Sequence, residues 1–416
     1  MDFQDSPKEA EFRAAAREWL SQHCKPRDAE GQSAFSLFSE NESAEMIEGA
    51  KDWQKQKAEA GWAGITWPKA YGGRGGAMME NVIFGQEEAN FVTAPNIFLI
   101  GVGLTAPTLM MHGTEEQKKQ HLPSILSGEN VWCQLFSEPG AGSDLAGLRT
   151  KAVKDGDEWV INGQKVWTSG AHYSDWGILV TRTDFDVPKH KGLTYFIVDM
   201  KTPGIEIRPI KQITGGANFN EVFLTDVRIP DSNRVDREGN GWAVALTTLM
   251  NERMSIGGFM GMDPAIMFDE ISYLAANTYV DGIVGTDHPV VRQRISHFYA
   301  ASKAMDLTVS RTLSALSKGG MPGSESSIVK LAMGLLIQEI AAFAMELQGG
   351  LGFEYGSDVT FQHGSWQEMY LGIPAARIAG GTDEVQRNII GERVLGLPTE
   401  ARVDKGIAFK DIPAAG

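Results

Sequence analysis

Between Val131 and Pro230 the apolar residues of this chain sit in short alternating runs, while on both sides they recur with a helical period. The runs are Trp132 to Ser137, Trp159 to Ile161, Lys165 to Ser169, Gly177 to Arg182, Leu193 to Asp199, Ile205 to Ile210 and Glu221 to Arg228. Short strands this close together, divided by turn residues, predict a compact barrel or sandwich. Upstream, Phe12, Ala15, Ala16, Trp19 and Leu20 share one helical face, and a second helix is expected through Glu80 to Asn90. Thr114 followed by Glu115 and Glu116 reads as the capped start of a helix ending near Gly128. Downstream from Gly241 the chain is helical again. Ile328, Leu331, Ala332, Leu335, Ala342 and Met345 are expected to form the apolar face of a bundle helix. The fold class is therefore α+β. It comprises an N-terminal helical domain (1–129), a small middle β-barrel or sandwich domain (130–238), a C-terminal four-helix bundle (239–398) and a polar, extended tail (399–416).

The stretch from Trp132 to Ser169 carries the most information about ligands. WCQLFSEPGAGSDLAGLRT is an apolar strand leading into a Gly- and Ser-rich loop, where backbone amides can approach a bulky polar ligand without interference from Cβ atoms. DEWVINGQKVWTSG is expected to form a hairpin turning at Asn162-Gly163, a pair that suits a two-residue turn. Gly140-Ala-Gly142 and Gly73-Arg-Gly75-Gly76 each begin like a dinucleotide fingerprint. Neither is followed by the helix, second strand and acidic residue that a Rossmann unit requires. Gly72 to Gly76 reads as a tight loop between domains.

Length and composition narrow the classes of function. The 416 residues, 42% hydrophobic, are enough for two or three domains. A net charge of -15 without a Lys/Arg cluster argues against a nucleic-acid partner. The acidic start Met1-Asp2-Phe3-Gln4-Asp5 lacks a signal-peptide core, and no uninterrupted apolar run approaches the roughly 20 residues that span a bilayer. Cys24 and Cys133 read as reduced thiols, and a cytoplasmic location without membrane association is expected. His23, His112, His121 and His172 lack metal-ligand spacing, so no metal is expected.

The two halves of the 132–169 stretch, in this order and spacing, resemble the flavin-binding signature of acyl-CoA dehydrogenases. WPKAYGGRGG at 67–76, GTEEQKKQHLPSILSGE at 113–129 and IAGGTDEVQRNIIGERVLGLP at 378–398 resemble other parts of the same family, and the resemblance runs from about Ser6 to Pro398. It implies FAD as cofactor and α,β-dehydrogenation of an acyl-CoA thioester to the trans-2-enoyl-CoA. It also implies an electron-transfer flavoprotein as acceptor and a homotetramer built as a dimer of dimers. By resemblance, Gln134, Phe136, Ser137, Gly142 and Ser143 contact the flavin, with Ser143 also near the thioester arm. Trp167, Thr168 and Ser169 would lie against the isoalloxazine ring; plain barrel core is the competing reading of Trp167. Gly349 and Gly350 resemble a loop that meets the adenosine part of FAD across a dimer interface, and Glu346 stands where the family often has Gln. Thr382 and Glu384 match cofactor positions. At 280–285 the chain reads VDGIVG where the family usually has an Arg and an aromatic residue for the partner's pyrophosphate, so Arg292 or Arg294 is needed as a substitute.

The reaction needs a base. Removing the weakly acidic α-proton requires a polarised thioester carbonyl and a desolvated carboxylate. In many family members the Glu directly precedes Gly-Thr in the C-terminal motif; here that position is Gly380, which offers no acceptor. Isovaleryl and long-chain types carry the Glu on the first helix of the terminal bundle instead. The matching segment Leu249-Met250-Asn251-Glu252-Arg253 makes Glu252 the expected base and Arg253 a substrate contact. The Gly380 amide would still address the thioester carbonyl. Two other classes stay open: a non-catalytic or partner-dependent subunit of a heteromeric acyl-CoA dehydrogenase, and a related oxidase or monooxygenase. Branched, long-chain and polycyclic side-chain thioesters, as in lipid or side-chain β-oxidation, are all compatible with the sequence.

Overall fold

The computed structural model describes residues 5–27, 43–256, 264–317, 323–324, 326–355, 359–401 and 404–413; the side chains of 253–266, 313 and 315–317 are outside the described set. The N-terminal helices are α1 (Pro7–His23), α2 (Ala44–Glu59), α3 (Met78–Glu88), α4 (Ala106–His112) and α5 (Glu115–Ser127). A two-strand ladder of β1 (Lys25–Pro26) and β2 (Phe91–Val92) ties the first helix to the third. Local chemistry explains the helix ends. Ser6 and Glu9 cap α1 reciprocally, Thr114 and Gln117 do the same for α5, and Gly128 closes α5 in the left-handed conformation. Ala16, Leu20, Trp53, Trp62, Ile65 and Phe84 form the core of this region.

The middle sheet has eight strands: β3 (Trp132–Leu135), β4 (Lys151–Asp155), β5 (Glu158–Ser169), β6 (Trp176–Arg182), β7 (Leu193–Asp199), β8 (Ile205–Ile210), β9 (Phe219–Pro230) and β10 (Arg234–Val235). They run in the order β10-β7-β6-β4-β5-β9-β8, with β3 parallel to β6 on the same side as β4. One apolar side, including Ile178, Val180 and Tyr195, shares a core with Leu122 and Ile125 of α5 and with Val244 and Ala245 of the helix that follows the sheet. A second core unites Leu135, Trp159, Ile161, Phe196, Val222 and Ile229.

The expected hairpin at Asn162-Gly163 does not exist. The turn lies at Gly156-Asp157, where Asp155 pairs with Glu158, and Asn162 sits within the continuous strand β5. An Asn-Gly pair turns a chain only if the flanking runs pair with each other, and here both pair with β9. Asn162 serves a bulge instead. Its side-chain oxygen accepts from the Asp226 amide at 2.9 Å, its amide donates to the Asp226 carboxylate at 3.0 Å, and Asp226 has φ +50°. Gly163 is needed for close approach, because a Cβ there would lie 2.7 Å from Thr150 Cα.

The C-terminal helices are α6 (Gly241–Ile256), α7 (Pro264–Ala276), α8 (Pro289–Ser317), α9 (Ser326–Gln348), α10 (Ser365–Gly372) and α11 (Asp383–Ile389), with a small hairpin of β11 (Tyr279–Val280) and β12 (Ile283–Val284). Their core includes Ile271, Leu274, Phe298, Ile337, Ile340, Trp366 and Met369. The face expected on α9 is wrong. Val329, Met333, Leu336, Ile337, Ile340, Phe343 and Ala344 are buried, whereas Ile328 and Leu335 are exposed. The helix is apolar over more than one face, so periodicity alone could not decide which face packs. By length and composition the segment Ser326–Phe353 could cross a bilayer: an 18-residue stretch of it has a mean hydropathy of 1.8, and half of that stretch is buried within the protein.

The expected extended tail is also corrected. Residues 404–413 fold back onto the middle sheet, with Phe409 buried and its amide donating to Val187 O at 2.9 Å.

Candidate active site

Strand β3 delivers the Gly-rich loop. Phe136 is buried edge-on against Tyr195 at 5.8 Å between ring centroids, and the Ser137 carbonyl accepts from Val166 N at 2.9 Å. Reciprocal backbone bonds between Glu138 and Ala141 tighten the loop and leave Gly142 and Ser143 exposed. A buried ion pair anchors it from below. Lys165 Nζ donates to Glu138 Oε1 at 2.9 Å and to Phe136 O at 3.0 Å, and the same carboxylate accepts from the amides of Arg149 (2.6 Å) and Thr150 (2.9 Å). Burial alone would raise the Glu138 carboxyl, but Lys165 and these donors hold it below the ordinary range. Burial draws the Lys165 ammonium down, and Glu138 opposes that shift.

Sequence reasoning missed this pair, although a signal existed. Trp159, Ile161 and Lys165 share the inward parity of β5, and a lysine at an inward position calls for a buried acid.

The parity of β5 then changes. The register with β9 shifts between Lys165 and Thr168, and Trp167 takes φ +60°, a strained backbone for a bulky residue. This bulge turns Trp167 outward, 60% exposed, and Thr168 inward, while Ser169 is exposed. Trp167 is therefore not barrel core. Thr168 Oγ1 is buried and has no hydrogen-bond partner, and the Thr168 carbonyl accepts from Asn220 Nδ2 at 3.0 Å. An uncovered indole, an unsatisfied hydroxyl and an open small-residue loop suit a flat, polar-edged ring such as a flavin.

Helix α6 brings up a carboxylate. Thr248 is its buried anchor, with Oγ1 3.0 Å from Thr108 Oγ1 of α4 and 3.1 Å from the Tyr195 hydroxyl of β7. Glu252 lies one turn further on the same face. Its carboxylate is 3.4 Å from Gln134 Nε2, and a Cβ placed on Gly380 would be 3.9 Å from Glu252 Oε1. Gly380 has φ +63°. Lys330 Nζ donates to Gly381 O at 2.5 Å, and Gln386 Nε2 donates to the carbonyls of Gly380 (3.1 Å) and Gly381 (3.2 Å). Thr382 caps α11 by accepting from Val385 N, and Glu384 is exposed. Arg377 pairs with the buried Asp383. The Arg253 side chain is outside the described residues.

Gln134, Glu252 and Gly380 are thus brought together. Glu346, Gly349 and Gly350 are not among them: all three are exposed, Glu346 in the last turn of α9, roughly 24 Å along the helix from Lys330 at 1.5 Å per residue, and the two glycines just past its end. At 280–285 the chain makes the β11–β12 turn through Asp281 and Gly282, both at positive φ. Arg294 is engaged between the rings of Phe298 and Phe343, whereas Arg292 is exposed and donates to Thr286 O.

Family models match nearly the whole chain: acyl-CoA dehydrogenase, N-terminal domain, over residues 6–129; middle domain over 133–243; and C-terminal domain over 239–395. The chain is 38% identical over 396 residues to the acyl-CoA dehydrogenase IpdE1 of Mycobacterium tuberculosis, covering 94% of this chain and 98% of that one. Among solved structures it resembles the ChsE4-ChsE5 complex from Mycobacterium tuberculosis (30% identity, TM-score 0.79, 96% of this chain and 100% of that one). It also resembles the Tcur3481-Tcur3483 steroid ACAD (29% identity, TM-score 0.80, with the same coverage).

Proposed function

Because the chain belongs to the acyl-CoA dehydrogenase family, we propose that Glu252 is the base that removes the α-proton of an acyl-CoA thioester. The protein is an FAD-dependent oxidoreductase of that family. The observation that carries the proposal is the 3.9 Å between Glu252 Oε1 and the Cβ position of Gly380, where other members carry their base. The helix-borne carboxylate occupies the volume that a loop-borne one would fill. Trp167, Thr168 and the 137–143 loop would hold FAD, which would supply the acceptor for the β-hydrogen as hydride.

The remaining work falls to the protein. Glu252 accepts the α-proton on a carboxylate oxygen, with the Gln134 amide holding the other oxygen in place. The Gly380 amide, on a loop pinned by Lys330 and Gln386, is a donor for the thioester carbonyl, which makes the α-proton acidic. Trp167 and Thr168 are the residues that would hold the flavin ring, with the 137–143 loop along its edge. Gly142, Ser143, Ser169, Thr382 and Glu384 are assigned to cofactor or substrate contact on the same reading, and Gly349 and Gly350 to the FAD of a second subunit.

The product is the trans-2-enoyl-CoA, and the electrons pass to an electron-transfer flavoprotein. A glycine at 380 leaves space beside the base, which favours a bulky, polycyclic side-chain thioester; the likeness to the steroid ACAD points the same way. A dimer of dimers in the cytoplasm is the proposed setting, and both cysteines are unpaired. A heteromeric assembly is the second reading. It is favoured by the β11–β12 turn, which lacks the usual Arg, and by the two-component relatives.

Glu252→Gln tests the assignment. The variant is expected to keep FAD and bind acyl-CoA, yet to bleach its flavin anaerobically about 10²–10⁴-fold more slowly. Bleaching at the parental rate would overturn the assignment. A parent that is inactive alone but active with a second chain would favour the heteromer.

A further inference from the structure

The segment 404–413 lies beyond the residues matched by the family models and beyond every residue assigned above. It is nevertheless built into the loop that carries Ser143. Phe409 is 2% exposed and lies over the Arg182 guanidinium at 3.4 Å from ring centroid to carbon, with the Arg149 guanidinium at 5.0 Å and the Phe185 ring at 5.8 Å. Arg182 donates to three carbonyls: Leu148 O at 3.0 Å, Ala146 O at 2.6 Å and Lys189 O at 3.0 Å. Lys189 Nζ bridges Asp144 at 2.8 Å and Asp404 at 2.5 Å. Pro188 and Ala408 form an isolated bridge, and Lys410 N donates to Phe185 O at 3.0 Å. The far end of the loop is held by Glu138 through the amides of Arg149 and Thr150.

We propose that residues 404–413 are a strap that positions the 142–149 loop for the acyl-CoA thioester, with Phe409 and Asp404 as positioning residues acting through Arg182 and Lys189. The inference rests on the reading of Ser143 as a substrate contact. The physical basis is exclusion of water. A guanidinium holding backbone carbonyls competes with solvent for its own donors, and the Phe409 ring closes its open face. Lys189 holds Asp144, the residue next to Ser143, while its other contact fastens the strap. Glu252 and Gly380 sit on α6 and on the loop before α11, neither of which the strap touches through any of these contacts. Loosening the strap should therefore weaken substrate capture and leave proton abstraction intact.

The test uses the full chain with FAD and compares Phe409→Ala, Phe409→Tyr and Asp404→Asn with the parent. For Phe409→Ala we expect KM for acyl-CoA to rise about tenfold with kcat within about twofold, since misplaced positioning groups act chiefly on binding here. Phe409→Tyr should restore most of the loss, and Asp404→Asn should raise KM about two- to threefold. Hydrogen exchange at the amides of Gly147, Leu148, Arg149 and Thr150 should quicken in Phe409→Ala while exchange in α9 does not change. If Phe409→Ala fails to fold, Asp404→Asn decides by the same two readouts. Unchanged KM and unchanged loop exchange, even with a lower melting temperature, would overturn the strap. A parent that binds FAD but reduces it with no acyl-CoA defeats the dehydrogenase reading instead, and loop exchange then decides the strap alone.

Discussion

The proposed base can be moved, and the outcome can be anticipated from geometry. In Glu252→Gln, a second change, Gly380→Glu, places a carboxylate on the loop facing the vacated position. The new Cβ meets no backbone: its nearest neighbour is the residue-252 side chain, at ordinary contact distance. The cost lies in the backbone, because φ +63° disfavours any L side chain by about 1–2 kcal/mol. Relaxation toward negative φ is opposed by the bonds from Lys330 and Gln386 to the carbonyls of 380 and 381. If Glu252→Gln alone loses about a thousandfold, or about 4 kcal/mol of transition-state stabilisation, the relocated carboxylate should regain one to two decades. Imperfect alignment accounts for the remainder. Gly380→Glu in the parent should do worse than the parent. Two carboxylates in contact share a proton, so activity should rise with pH through an elevated apparent pKa. The assay is anaerobic stopped-flow bleaching of the flavin band at matched FAD content. A double variant that retains FAD and bleaches no faster than Glu252→Gln would refute the shared volume at 252 and 380.

Trp167→Gly should relieve strain at φ +60° and raise apo-protein stability by about 1 kcal/mol, while dialysis shows faster loss of FAD. Lys165→Met leaves the Glu138 carboxylate buried without its cation and should lower unfolding stability by about 3–5 kcal/mol; adding Glu138→Gln should recover much of that in denaturant titration. Burial holds His121, 2% exposed among the Trp132 and Trp176 rings, at a pKa of about 4 against an ordinary 6.5. The folded state disfavours the proton, so this stability is complete above pH 6.5 and is lost as pH falls toward 4, by about 3 kcal/mol; His121→Leu should flatten that limb of the stability profile.

What local chemistry could decide was legible in the sequence. The Thr114 cap and the Gly128 stop bracket α5, and the alternating runs at 193–199 and 205–210 are strands with those same ends. Features that depend on distant partners were not. Asn162-Gly163 looks like a turn until β9 is known to pair with both flanks. The apolar face of α9 could not be selected in a helix apolar nearly all round. The 404–413 segment looked polar because its buried apolar anchor, Phe409, is matched to Arg182, more than 200 residues away. The approach of position 252 to position 380 lies outside any local pattern; only the family resemblance linked them before the structure was known.

Carrying the proposed base on a helix has a mechanical consequence. The hydroxyls of Thr108, Thr248 and Tyr195 meet where α4, α6 and β7 come together, all buried, and Glu252 lies one helical turn beyond. Its distance from the sheet is therefore set by packing among three elements and not by a loop. The loop at 380 is then released from supplying the base and need only present an amide, which a glycine does with the least bulk. On this reading the two demands on the site, a fixed proton acceptor and space for the acyl group, fall to different segments. Small uncharged substitutions at 380 should consequently alter which thioesters enter well before they alter how a proton leaves, whereas substitutions at Thr248 should disturb proton removal with every substrate alike.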